Sequence, residues 1–276
     1  IMALDDPLHS CTIRMNTATS ELQELSYSFY NAEEQLITQR THILLNGEWT
    51  TQEYGYNYDE DTGNLTSLEI GNHTIAYEYD LLGRKVSENN SSCGKTYTYR
   101  NVLGKTCDLV DTITYTKSNG INLVTYSYEY DAKGNITKVY KNGILHNQYA
   151  YDALGQLVRE DNRDANRSYT YEYDSRGNFV AKHEHSFSTG ALSSPLGNGP
   201  VNYTYYTDSW KDRLKTYNGN NTITYDSIGN PLFYDNGSEY DFAWEGRQLQ
   251  SATKGSQTYA YTYNADGLRT SKTVGS

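Results

Sequence analysis

A chain of 276 residues with a net charge of −11 and no cluster of Lys or Arg is a poor start for a nucleic-acid binder, which must neutralise phosphates. Only 36% of it is hydrophobic, a proportion compatible with disorder, but its 29 tyrosines argue for folding, since each buries an apolar ring while keeping its hydroxyl wet. No apolar run approaches the ~18 residues of a membrane-spanning helix, and the first residues, IMALDDPLHS, lack the basic start and apolar run of a signal peptide.

The chain starts at Ile1, which reads as an excised segment whose targeting information lies elsewhere. Residues 1 to about 20 show no period and read as a connecting tail. Two readings compete from Glu21 to Arg40. Ser20 with Gln23, then Leu22, Leu25 and Phe29, fits a capped amphipathic helix. Alternating Leu25, Tyr27 and Phe29 before Asn31-Ala32-Glu33-Glu34-Gln35-Leu36 instead fits a decayed strand-turn unit, preferred because the chain beyond Arg40 is regular. His42 to Leu45, Asn46-Gly47 and Glu48 to Glu53 form a hairpin signal, Asn-Gly supplying the positive φ angles of a tight turn.

From Tyr54 onward a unit repeats. A tyrosine precedes a turn at Tyr58, Tyr79, Tyr99, Tyr130, Tyr151, Tyr173, Tyr225 and Tyr263, and Trp244 takes the same place. A long step hides an insertion around Asp108 to Ile121. A longer one hides a degenerate repeat near Tyr203 to Leu214 and a Ser, Gly and Pro-rich loop, Ser186 to Pro200. The turns Asp80-Gly83, Asp131-Gly134, Asp152-Gly155, Asp174-Gly177 and Asp226-Gly229 share one logic. Asp accepts backbone hydrogen bonds at the first position and Gly takes the left-handed conformation at the fourth. Asn264-Gly267 substitutes an amide, while Asp59-Gly63 and Arg100-Gly104 carry an extra residue, predicting bulged variants. Gly71-Asn72, Asn142-Gly143, Asn218-Gly219, Asn236-Gly237 and Gly255-Ser256 mark the opposite strand ends. The prediction is an all-β antiparallel meander. Residues 1–53 would form a tail with a degenerate repeat and hairpin, and residues 54–276 a repetitive sheet with an excursion at 186–200. Its tyrosines would line up in rows across the strands.

The segments YEYDLLGRKV (77–86), YEYDAKGNI (128–136), YAYDALGQL (149–157), YEYDSRGNF (171–179) and TYDSIGNPL (224–232) resemble the YD-repeat, or Rhs-repeat, family over roughly residues 54–276. The stretch 242–273 is similar to the one that approaches the core of bacterial Rhs and wall-associated proteins. The resemblance implies a curved sheet, an arc of a hollow β-shell that encloses a C-terminal toxin in a secreted or surface bacterial protein. As the alternative it implies an extracellular adhesive or carbohydrate-binding module of the teneurin kind. Partners would then be a downstream toxin domain or a cell-surface glycan or protein, and the location extracellular. The terminal core signature is missing, the only Asp-Pro being Asp6-Pro7, so no autoproteolytic aspartate is carried over.

No catalytic motif is present: no G-x-S-x-G, P-loop, H-E-x-x-H or C-x-x-C. His183-Glu184-His185 places two imidazoles on one strand face without an evident third ligand, and reads as a solvated strand end rather than a metal pair. Asp161, Asp164 and Asn166 lack the spacing and glycine of a calcium loop and read as a polar hairpin turn. Asp59, Glu60 and Asp61 read as a bulged turn. Cys11, Cys93 and Cys107 make no disulfide framework, though pairing of Cys93 with Cys107 stays open. No catalytic, cofactor-binding or metal residue is assigned. The tyrosines read first as wall material and second as a sugar-stacking surface.

Overall fold

The computed structural model of the chain describes residues 9–15, 22–45, 47–197, 199–208, 210–264 and 267–275. Every regular element among them is a β-strand. The first ten are β1 (His9–Met15), β2 (Leu22–Tyr30), β3 (Leu36–Leu45), β4 (Glu48–Tyr58), β5 (Leu65–Ile70), β6 (His73–Tyr79), β7 (Lys85–Asn89), β8 (Cys93–Val102), β9 (Lys105–Lys117) and β10 (Asn122–Tyr130). Then come β11 (Ile136–Lys141), β12 (Ile144–Tyr151), β13 (Leu157–Asn162), β14 (Arg167–Tyr173), β15 (Phe179–Ser186), β16 (Val201–Tyr205) and β17 (Leu214–Tyr217). The last six are β18 (Thr224–Tyr225), β19 (Pro231–Asp235), β20 (Glu239–Glu245), β21 (Gln248–Lys254), β22 (Gln257–Tyr263) and β23 (Arg269–Gly275). They fall into a sheet of seventeen, β1–β17, and a sheet of six, β18–β23. The fold is the all-β antiparallel meander that the turn spacing predicts.

Two compact units divide the chain, Ile1–Tyr128 with Tyr140–Gly143 and Glu129–Val139 with Ile144–Ser276. In the first, consecutive strands from β1 to β10 pair antiparallel. In the second, the same holds from β12 to β17 and from β18 to β23.

Part of the expected tail is a strand: His9–Met15 pairs along β2, Cys11 facing Tyr27 and Ile13 facing Leu25. It escapes a period search because both Ile13 and Met15 are exposed, so backbone pairing rather than an apolar face holds it. The expected Asp6-Pro7, and Asn46 of the Asn46-Gly47 turn, lie outside the described residues. Residues 22–45 form strand, turn and strand, with no helix; alternation of Leu25, Tyr27 and Phe29 at period two decides between the two readings.

Bulges recur throughout rather than only at the two expected turns, of which Arg100–Gly104 does carry one, at Arg100. Ala150 faces Arg159 but Tyr151 faces Leu157, so Val158 is left over on the return strand. Glu172 and Ala181, then Tyr173 and Phe179, leave Val180 in the same way. An equivalent slip occurs at Tyr30, Tyr58, Tyr79, Tyr205, Tyr225, Trp244 and Tyr263. A bulge inserted at one point of each repeat adds local twist at regular intervals. At Arg100–Gly104 the turn itself is only Leu103-Gly104, both at positive φ (53° and 80°), with Val102 facing Lys105.

Few apolar side chains are fully buried. Among the described residues only Ala181, Ile223 and Ala252 are buried hydrophobics. On the tyrosine face, Phe179 and Tyr203 centroids lie 4.6 Å apart and those of Tyr203 and Tyr217 5.3 Å. Lysines lie over the rings, Lys182 Nζ at 3.9 Å from the Tyr169 centroid. The opposite face carries polar cross-strand pairs: Thr98 with Thr112 at 2.7 Å, Ser87 with Glu78 at 2.8 Å and Lys138 with Glu129 at 2.8 Å.

The register excludes a disulfide between Cys93 and Cys107. Cys93 faces Lys117, and Cys107 lies ten residues from Lys117 along β9, about 33 Å at strand rise. Bridged cysteines need Cα atoms within about 7 Å. Both thiols are free.

Candidate functional site

Two arrangements concentrate the side-chain chemistry: the turns that follow each repeat tyrosine, and a buried polar cluster beneath the 187–200 loop.

The D-x-x-G turns are each built from one aspartate. Asp152 Oδ1 accepts the backbone N–H groups of Leu154 and Gln156, both at 2.9 Å, and its Oδ2 accepts Gln156 Nε2 at 2.8 Å. Asp131 and Asp174 do the same with Lys133 and Asn135, and with Arg176 and Asn178. At Asp80 the fifth residue is Arg84, whose guanidinium binds Oδ2 at 2.8 and 2.6 Å. Meanwhile Gly155 N–H donates to Asp152 O and Asp152 N–H to Gln156 O. The carboxylate therefore satisfies donors that a five-residue loop would otherwise leave to water.

These bonds hold the carboxyls below their ordinary range. The chief cause is the side chain of Arg84 at Asp80, of Asn135 at Asp131 and of Asn178 at Asp174, and the backbone N–H of Gln156 at Asp152. Asn31 builds the same loop with an amide: its Oδ1 accepts Gln35 N–H at 2.8 Å and Glu33 N–H at 3.2 Å. Glu34 stands at φ 62° where the other turns have glycine.

The tyrosine before most of these turns ties its repeat to the one before. Tyr151 Oη donates to Ile136 O (2.8 Å), Tyr173 to Leu157 O (2.9 Å), Tyr205 to Phe179 O (2.7 Å) and Tyr225 to Leu214 O (2.8 Å). Tyr58, Tyr99 and Tyr263 reach Leu36 O, Lys85 O and Leu249 O. The acceptors lie at the start of a return strand in the preceding repeat. Trp244 Nε1 donates to Pro231 O at 2.7 Å, so an indole N–H does the work of the phenol. Turns also contact one another: Gln35 Nε2 reaches Gly63 O at 3.1 Å, Lys133 Nζ reaches Ala153 O at 2.6 Å and Asn230 Nδ2 reaches Gly246 O at 2.6 Å. In the degenerate repeat the Trp210 ring lies on Gly229, where a Cβ would sit 2.2 Å from it.

The second arrangement does not show in the sequence. Asp161 faces Ser168, and Ser168 faces His185, across β13, β14 and β15. All three are buried, Asp161 at 1% and Ser168 at 0% exposure. Arg159 Nε donates to Asp161 Oδ1 at 2.9 Å, and its Nη2 donates to Ser188 O (2.7 Å) and Gly190 O (2.8 Å). Ser168 Oγ donates to Ser188 O at 3.1 Å and accepts Ser188 N–H at 3.0 Å. His185 Nδ1 lies 2.9 Å from Ser193 O, so that nitrogen carries a proton, and Nε2 lies 3.1 Å from Thr170 Oγ1. Asp, Ser and His are the residue types of a hydrolytic triad, but His185 binds Thr170 and a loop carbonyl rather than Ser168. Their work is to fasten the loop to the polar face.

The other sequence candidates separate. His183 Nε2 pairs with Glu172 Oε1 at 2.9 Å, so the two histidines have different partners. Asp164 lies in the β13–β14 turn against His146 at 2.9 Å, and Asn166 takes φ 52° there, while Asp161 points into the cluster. Asp59 Oδ1 accepts Thr62 N–H and Oγ1–H, leaving Glu60 and Asp61 exposed. No group of three metal-ligating side chains occurs among the described residues.

A family model described as the teneurin YD-shell matches residues 11–196. The fold is similar to the solved structure of TcdB2-TccC3-TEV, with a TM-score of 0.57 and 16% identity over 94% of this chain and 17% of that one. It is similar to TcdB2-TccC3-Cdc42 with a TM-score of 0.50 and 14% identity, over 95% of this chain and 18% of that one. The chain thus spans under a fifth of the length of these structures. None of the curated proteins matches it.

Proposed function

The chain belongs to the teneurin YD-shell family, and from that membership we propose that it is a section of wall in a longer shell protein that encloses a C-terminal toxin domain and is secreted or displayed on a bacterial surface. The role is structural, and the observation that carries it is where the recurring side chains are spent. Aspartate, tyrosine and the amide or guanidinium after glycine are all engaged in closing a repeat or joining it to its neighbour. Residues recurring for catalysis or recognition would instead converge on a shared space. Stability in such a wall is a sum of repeat and neighbour terms.

The test uses the full-length parent protein with a protease site engineered into the segment proposed as cargo. Cleavage should be blocked in the native protein and fast once it is unfolded. Equal rates in both states would refute enclosure.

A carbohydrate-binding surface module is the second reading. It draws on a cleft of about 510 Å³ between the Asn31 and Asp59 turns, lined by Tyr56, Tyr58, Asn57 and Glu33. Asn31, Gln35 and Tyr58 are already hydrogen-bonded within the chain, which favours the wall. A glycan array on which wild type scores and Tyr56→Ala does not would reverse that preference.

A further inference from the structure

Turn tips in this protein follow a pattern, and two neighbouring tips break it. Within the D-x-x-G turns the two central residues are Ala-Lys at 132, Ala-Leu at 153, Ser-Arg at 175 and Ser-Ile at 227, but Leu-Leu at 81. Leu81 is fully exposed, at 105%, and Leu82 is also exposed. The second exception is the two-residue turn after β8. Its first residue must adopt positive φ, and the same conformation is taken by Asn142, Asn166 and Asn218 at 51–52°. Here it is Leu103, at 53° and 98% exposed. Leucine is strained in that conformation, where asparagine is at ease, and it gains nothing there from burial. Val102 beside it is exposed as well. The two tips are tied together, since Arg84 binds Asp80 on one side and Thr106 Oγ1 (2.8 Å) and Cys107 O (2.6 Å) on the other.

Cations also stand beside these tips. Of the cations between Leu81 and Cys107, Arg84 is paired with Asp80, Lys85 with Glu88, and Lys95 lies over the Tyr97 and Tyr115 rings, while Arg100 and Lys105 are those nearest Val102-Leu103. The flanking carboxylates are Asp80, held by Arg84, and Asp108. Other tip residues such as Leu154 and Leu268 stand singly, as ordinary surface leucines do. Protruding aliphatic tips with Arg100 and Lys105 beside them match an anionic lipid surface, with leucines entering the headgroup boundary and cations meeting the phosphates. A groove-forming partner would be met by a concave or flat apolar patch rather than by separate projecting tips.

We infer that the tips Leu81-Leu82 and Val102-Leu103 form a peripheral membrane contact selective for anionic phospholipid. The inference does not depend on the shell reading, since tips of this kind serve a wall or an adhesive module alike.

The test is co-sedimentation of the chain with vesicles of phosphatidylcholine alone and with vesicles containing about a quarter phosphatidylserine. Wild type should sediment with the anionic vesicles and stay in solution with the neutral ones. Lys105→Ala should lower partitioning roughly five-fold. The triple variant L81S/L82S/L103N should abolish it. The L103N change places asparagine where the chain already uses it, so this variant should melt no lower than wild type. Failure to bind anionic vesicles, equal binding to both compositions, or unchanged binding of the triple variant would each overturn the inference. So would lipid-free dimerisation that the triple variant abolishes, since the tips would then serve a second copy.

Discussion

The two ends of the strands solve one problem in different ways. At one end, Asn142-Gly143 and its counterparts reverse the chain in two residues, with positive φ angles of 52° and 77°. Such a turn rests chiefly on backbone conformation, to which Asn142 adds a bond from Thr125 N–H to its Oδ1 at 2.9 Å. At the other end, reversal takes a bulge, a tyrosine and a five-residue loop wrapped on a carboxylate, with bonds reaching the preceding repeat. The recurring side-chain join between neighbouring repeats lies at that end, and this explains why its sequence is the recognisable one.

Disabling one wrapped turn should have the largest effect. Asp152→Ala removes the acceptor of two N–H groups and the Gln156 amide, and should lower the melting temperature by several degrees. Asn218→Gly at a plain turn of the same kind, φ 51°, should leave it nearly unchanged. Equal sensitivity of the two ends in thermal melts would remove the distinction.

Acid should act on the same end. The carboxyls of Asp59, Asp80, Asp131, Asp152 and Asp174 are held low in the fold. Their contribution is therefore complete above the ordinary aspartate value of about 3.9 and is lost as pH falls through the lower folded values. Melting temperature should drop below about pH 4. The double variant D152N/D174N should drop less, because Asn31 shows that an amide builds the loop without titrating. An unchanged acid profile in that variant would assign the effect elsewhere.

The smallest expected effect isolates the tie between repeats. Tyr151→Phe leaves Ile136 O without its donor and should cost about 1 kcal/mol, measured by denaturant unfolding. Trp244→Phe should cost a similar amount through Pro231 O, whereas Trp244→Tyr should restore part of it. Loss-free phenylalanine variants would reduce these rings to packing.

Much of the turn end could be read from the residues. The Asp and Gly spacing located the loops, and the choice of strand over helix between Glu21 and Arg40 rested on period two and on the regular units downstream. The hydroxyl ties were half visible: the repeat position holds Tyr or Trp and never Phe, in a chain with 29 Tyr and 5 Phe, which points to a polar hydrogen at that place. Asp161 was misread because its neighbours in sequence, Asp164 and Asn166, do form a polar turn. Its own role depends on Ser168 and on a loop 27 or more residues away, Ser188 onward, which pattern reasoning cannot bring together.

By itself the sequence determined most of the strands, their antiparallel order and the class of each turn. Those follow from φ preferences and from period-two alternation, which act within a few residues. The tertiary structure alone decided the bulge on each return strand, the carbonyl each tyrosine binds, the separation of Cys93 from Cys107 and the fastening of the 187–200 loop. Each of these is a matter of register between strands, and register is set by pairing across the whole sheet rather than by any one segment.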